Sequence, residues 1–146
     1  MTLTPMKSLC VLFLLFAGLL AAHAQQGDAL IAGSGGGFTG MVTAYKIFTD
    51  GKVYMGRGVA EIRYTECAKI RKAKAKKLLR RATQTLKDIA ELNAPGNQYY
   101  FLATILQGKE TKATWGAADG PAPAPLKDLY QEVQEMAASL TYRPIP

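Results

Sequence analysis

At Ile70 the apolar period of the chain changes, and few architectures accommodate both halves. Upstream, from Phe38 to Thr49, β-branched and aromatic residues alternate. Met41, Thr43, Tyr45 and Ile47 share one side, and Val42, Ala44, Lys46 and Phe48 the other. Asp50-Gly51 follows at once, and then come Val53, Tyr54, Met55 and Val59. An Asp-Gly pair between two such runs signals a hairpin, because the tightest hairpin turn needs positive φ at both central residues. Strands are expected near 39–48 and 52–60, with a weaker extension over 61–66. Downstream, Ala75, Leu78, Leu79, Ala82, Leu86, Ile89 and Ala90 recur at three- and four-residue steps, the stripe of an amphipathic helix. Arg71 would point into that stripe, so the helix is expected to begin after it. Asn93-Ala94-Pro95-Gly96-Asn97 should stop it.

The same order then repeats. Gln98–Gln107 is an apolar, aromatic run too continuous for an edge strand, Gly108-Lys109 turns it, and Glu110–Trp115 alternates. Residues 116–125 hold three of the seven prolines, as an alternating Pro-Ala-Pro-Ala-Pro that reads as a stiff connector. Leu126, Leu129, Val133, Met136, Ala137 and Leu140 mark a second amphipathic helix, with Pro125 suited to its first turn. Hairpins followed by helices predict an α+β domain: an antiparallel sheet of four to six strands built from two hairpins, with both helices packed on one face.

Residues 1–24 stand apart from this domain. They carry one Lys, no acid, and an apolar run from Leu9 to Ala22 that exits through Ala22-His23-Ala24. A basic start, a short apolar stretch and a small-x-small exit describe a secretory signal peptide. The competing reading, a membrane-spanning helix, needs about 20 apolar residues. The expected organisation is therefore a signal peptide over 1–24 and a single domain over 25–146, periplasmic or secreted, with no transmembrane segment once the leader is removed.

Cleavage after Ala24 removes the only His and one of the two Cys. The remaining chain has no imidazole for a Ser/His/Asp or Cys/His arrangement. One Cys and scattered acids do not make a zinc site. No internal disulfide is available, so Cys67 is expected to be a small, partly buried apolar residue, an intermolecular bridge or an exposed thiol. No pair of carboxylates is placed by spacing in a shared cleft. The sequence reads as non-enzymatic, with no cofactor and no metal.

Three segments are candidates for recognition. Gly35, Gly37 and Gly40 formally satisfy G-x-G-x-x-G, but a strand rather than a helix follows, so nucleotide binding is rejected. What remains is either a plain glycine turn or a loop whose backbone approaches a partner, with Phe38 as its apolar contact. Lys69, Arg71, Lys72, Lys74, Lys76, Lys77, Arg80 and Arg81 place eight cations in thirteen residues with no acid among them, in a chain of net charge +7. That density either forms a solvated outer face or attracts an anionic surface, with Lys72, Lys74, Lys76, Lys77 and Arg80 as the anion-binding set. No aromatics interleave the lysines for base stacking, so nucleic acid is not the expected partner. The last helix bears Asp128, Glu132 and Glu135, and part of this face is expected to sit near them. Tyr99, Tyr100, Phe101 and Trp115 lie on adjacent strands, either as cross-strand packing or as a platform for stacking carbohydrate.

The segment SGGGFTG at 34–40, the strand after it, and the Pro125-Leu126…Leu129 pattern resemble the emfourin-type family. Its members are small bacterial proteins that begin with a strand and an S-G-G-F-like turn, and the founding member inhibits thermolysin-like metalloproteases. The resemblance implies an α+β binding domain and a protease-inhibitor activity. It makes Ser34, Gly35, Gly36, Gly37 and Phe38 the partner-binding residues. The expected function is an exported, non-enzymatic binding protein acting through the glycine loop. The alternative is an envelope or anionic-surface binder using the basic helix 69–81.

Overall fold

The computed structural model describes residues 27–89 and 92–140, so the expected leader, 1–24, lies outside the described residues. Seven strands form one sheet: β1 (Ala29–Gly36), β2 (Val42–Phe48), β3 (Lys52–Gly58), β4 (Arg63–Lys69), β5 (Asn93–Ala94), β6 (Gln98–Leu106) and β7 (Lys109–Trp115). Helix α1 (Lys72–Lys87) lies between β4 and β5, and α2 (Ala124–Ser139) follows β7. The strand order is β4-β3-β2-β1-β6-β7-β5, antiparallel throughout except for the short parallel pairing of β5 with β7. The fold is α+β as expected, but the sheet is larger than the four to six strands predicted.

Two strands account for the excess. Glycine weakens a strand intrinsically, so 33–37 read as a turn. In the structure β1 runs through Ser34, Gly35 and Gly36, paired to β6 as far as Gly36↔Gln98. It is the middle strand, and Ala29–Ala32 are buried. Strand β5 comes from Asn93-Ala94, expected as part of a helix stop. Helix α1 ends earlier, at Lys87, leaving those residues extended and paired to Thr114 and Trp115.

Alternation divides each strand between two faces. Leu30, Ala32, Ile47, Val53, Leu102, Ala113 and Trp115 meet the stripes of both helices: Ala75, Leu78, Leu79, Ala82 and Leu86 of α1, and Leu126, Leu129, Val133, Met136 and Ala137 of α2. Those are the stripes the periodicity predicts, except that Ile89 and Leu140 fall just past the helix ends and are only partly buried against the same core, and Ala90 is outside the described residues. Pro125 sits in the first turn of α2, where a missing N–H costs nothing.

Among the described residues no helix residue joins the core of the other face, yet Ile31, Val42, Ala44, Phe101 and Ala103 are buried there. Aromatic side chains pack against strand glycines. A Cβ built on Gly33 would stand 2.5 Å from the Phe101 ring and 2.7 Å from Ala44 Cβ. One built on Gly35 would stand 2.7 Å from the Tyr99 hydroxyl, and one on Gly56 2.6 Å from Tyr64. The Lys112 ammonium covers the Phe101 ring at 4.5 Å. The sheet thereby closes its second face with its own side chains.

The turns differ from expectation in one exchange. At Asp50-Gly51 only Gly51 has positive φ, and the Asp50 carboxylate instead accepts the Lys52 N–H at 2.9 Å. Of the two expected hairpin turns, the one with positive φ at both central residues is Gln107-Gly108 (50° and 79°). Asp28, just before β1, binds both turns: its carboxylate accepts the Gln107 N–H at 2.8 Å and its carbonyl the Thr49 N–H at 3.2 Å. At the free edge, β4 bulges at Cys67, and Arg63, Glu66 and Lys69 guard it against pairing with a foreign strand.

Gly33→Ala is expected to lower the unfolding free energy by about 1–3 kcal/mol, because neither Phe101 nor the Thr43 carbonyl can withdraw from the new methyl. Urea denaturation with an unchanged m-value checks it.

Candidate functional site

The strand register fixes which loops share an end of the sheet. Val42 pairs with Gly58 and Gly36 with Gln98, so loop 37–41, loop 59–62 and the segment after Trp115 emerge together. The β1–β2 connection is a tight turn: Gly37, at φ 71°, donates to the Asn97 carbonyl at 2.7 Å, and Gly40, at φ 62°, donates to the Gly37 carbonyl at 3.3 Å. The Met41 N–H closes on the Thr39 hydroxyl at 3.3 Å. Phe38 stands at the tip, fully exposed. A Cβ at Gly40 would lie 3.7 Å from Val59, so the two loops run side by side. Val59 and Met41 are themselves exposed, at 62% and 38%. Phe38, Met41 and Val59 are three of the four exposed large apolar residues among those described.

The five candidates of the glycine segment therefore separate. Gly37 and Phe38 belong to the turn, and Gly36 (φ 94°) leads into it while still paired in β1. Ser34 and Gly35 are strand residues: Gly35 is covered by Tyr99, and Ser34 hydrogen-bonds Tyr130 of α2. The sequence did not point to Met41 and Val59. Their only signal is an apolar residue beside a glycine turn and another beyond Gly58, which became legible once the register was known.

On α1, Lys72, Lys74, Lys76, Lys77 and Arg80 are all exposed. Among the described residues none of them forms an ion pair; only Arg81 does, with Glu132 of α2 at 2.6 Å. Glu132 thus meets the edge of the basic face, as expected, and leaves its centre uncompensated. The first turn of α1 has no acid and no side-chain cap, so Lys72 and Lys74 oppose the positive end of the helix dipole. In the adjacent hairpin Lys52 lies directly opposite Lys69, and Arg57 opposite Arg63. Like charges facing each other across a ladder are unfavourable.

The four clustered aromatics divide by strand parity. Tyr99 and Phe101 belong to the helix-free face. Tyr100 pairs directly with Trp115 on the helix face and joins Tyr130 there. Burial pushes the Tyr130 hydroxyl up, opposed by the Ser34 hydrogen bond, and burial also raises Tyr64 on the other face. Cys67 is half-buried at the β4 bulge. Its thiol donates to the Val53 carbonyl at 3.4 Å, and burial raises its pKa. Among the described residues no three His, Cys, Asp or Glu side chains converge on a metal-sized site. No described helix is long and apolar enough to cross a membrane.

Because the Tyr130 and Tyr64 hydroxyls titrate above their ordinary value of 10.0, their burial stabilises the domain fully below that pH. The contribution is lost as pH rises through the raised values. Tyr130→Phe with Tyr64→Phe should flatten the alkaline fall in stability, read as urea midpoints across that range. No protein-family model matches the chain, and no curated protein matches it.

Proposed function

We propose that the chain is an exported, non-enzymatic binding protein whose β1–β2 turn inserts Phe38 into an apolar pocket of a protein partner. The observation that carries this reading is a fully exposed phenylalanine at the tip of a turn held by three hydrogen bonds, flanked by exposed Met41 and Val59. A folded chain gains nothing internally from such a ring. A partner that covers it gains about 1.5–3 kcal/mol from that side chain alone, with little ordering cost because the turn is already formed. Arg57 and Arg63, paired across β3 and β4, flank loop 59–62 in the chain, so a matching partner carries carboxylates near its pocket. Export rests on the leader pattern of 1–24, and the protease as partner rests on the SGGGFTG resemblance.

Phe38→Ser tests the reading better than removing Gly35–Gly37, because Gly35 and Gly36 are paired to Tyr99 and Gln98 and their loss would shift the register of β1. The variant should keep its thermal midpoint. Its capture of partner from envelope and culture fluid should fall about 10–100-fold, as should inhibition of a thermolysin-like metalloprotease where the native chain inhibits it. Unchanged capture would remove the loop from the account.

A second reading uses the basic face. The uncompensated lysines of α1, with Lys52 facing Lys69, place cations where they disfavour folding, as expected of a surface kept for an anionic envelope partner. Lys72, Lys74, Lys76 and Lys77 changed together to Gln should then abolish sedimentation with phosphatidylglycerol vesicles, and salt should release the native chain. Capture through Phe38 is expected to survive the same salt.

A further inference from the structure

At the end of the sheet that carries loop 37–41, a separate cleft of about 460 Å³ opens between β6, β7, the 116–122 segment and α2. Its size falls within the range of small-ligand sites, about 300–1,000 Å³. Tyr100, Trp115 and Tyr130 form the wall, with ring centroids 6.1 Å apart for Tyr100–Trp115, 5.6 Å for Tyr100–Tyr130 and 5.3 Å for Trp115–Tyr130. Trp115 is almost covered, yet Tyr100, stacked on it, remains 39% exposed. The result is an aromatic face that is open to solvent and fixed from behind.

The opposite wall is one face of α2. Lys127, Tyr130, Gln131 and Gln134 recur at helical spacing and all line the cleft. The Gln131 amide N–H donates to Glu135 at 2.9 Å, and that of Gln134 to the Ala32 carbonyl at 3.5 Å. These bonds hold the two carboxamides in place, and each keeps an oxygen acceptor and a second N–H for a ligand. Among the described residues no carboxylate lines the cleft, and Lys127 is its one charged residue. Pro121 brings no N–H to the mouth.

We propose that this cleft binds a neutral pyranose sugar, a site distinct from the Phe38 loop. A pyranose has an apolar C–H face and a ring of hydroxyl donors. The fixed Tyr100 face takes the first, and the acceptors of Gln131 and Gln134 take the second. A cationic ligand would find no counter-charge. A polyproline segment needs open ridges between rings, whereas Trp115 is 7% exposed. A purely aliphatic ligand would leave the carboxamide oxygens without donors.

Trp115 is the only tryptophan of the chain and lies in the cleft wall, so its emission reports occupancy. Titration with maltotriose, cellotriose and chitotriose should give a saturable change with at least one sugar. Tyr100→Ala should weaken that binding about three- to tenfold. Gln131→Ala, on an exposed helix position that does not threaten folding, should weaken it as well, while Phe38→Ser should leave it unchanged. No saturable response to any of the three sugars would overturn the proposal. So would tighter binding of a proline decapeptide or of laurate than of any sugar, or a native response in Gln131→Ala.

Discussion

Coverage of β1 on both faces is the constraint from which the rest follows. Leu30 and Ala32 point to the helices, and Ile31 and Gly33 point away from them. All of these apolar residues are buried, although a second layer exists on one side only. The helix side is covered in the ordinary way, by two apolar stripes crossing a sheet. The other side is covered by rings from β6 and β4 packed against strand glycines, so Gly33, Gly35 and Gly56 act as sockets rather than as hinges. This is why β1 tolerates glycine at 33, 35 and 36 and still pairs with β6 as far as Gly36, and with β2 as far as Ser34.

Much of this was legible in the sequence where a period persisted. The α1 and α2 stripes are buried as their spacing requires, and Thr43, Tyr45 and Ile47 share a face as alternation requires. What escaped was non-local. Ser34-Gly35-Gly36 reads as a turn because glycine carries no strand propensity of its own, and only Tyr99, sixty residues away in the chain, explains why it is extended. Asn93-Ala94 becomes a strand only because β7 presents free ladder groups beside it. Asp50 avoids positive φ because its carboxylate can hold Lys52 N–H, a local bond that an Asp-Gly pattern does not specify.

The candidate sites show the same division. The exposed cations of α1 could be named from their run alone, since a helix with one buried stripe must present the remainder outward. Phe38 could be named because it interrupts glycines. Met41, Val59 and the Tyr100–Trp115–Tyr130 wall required the register, because each joins residues from different strands and, for Tyr130, from a helix thirty residues further along. Four adjacent-looking aromatics were one cluster on paper. Strand parity made them two, of which one closes a core and the other borders open space.

Asp28 has a consequence for how the molecule can vary. One residue stitches two hairpin bends to the central strand, through its side chain at Gln107 and its main chain at Thr49. Lengthening either bend would unseat both, so that pole of the domain is locked in length. At the opposite pole the bonds sit at the loop bases, from Gly37 N–H to the Asn97 carbonyl and from Ala117 N–H to the Ala94 carbonyl, and leave the tips at Phe38 and Val59 exposed. Side chains at those tips can therefore be exchanged without disturbing β1, which makes that pole the place where relatives of one scaffold would diverge in what they hold.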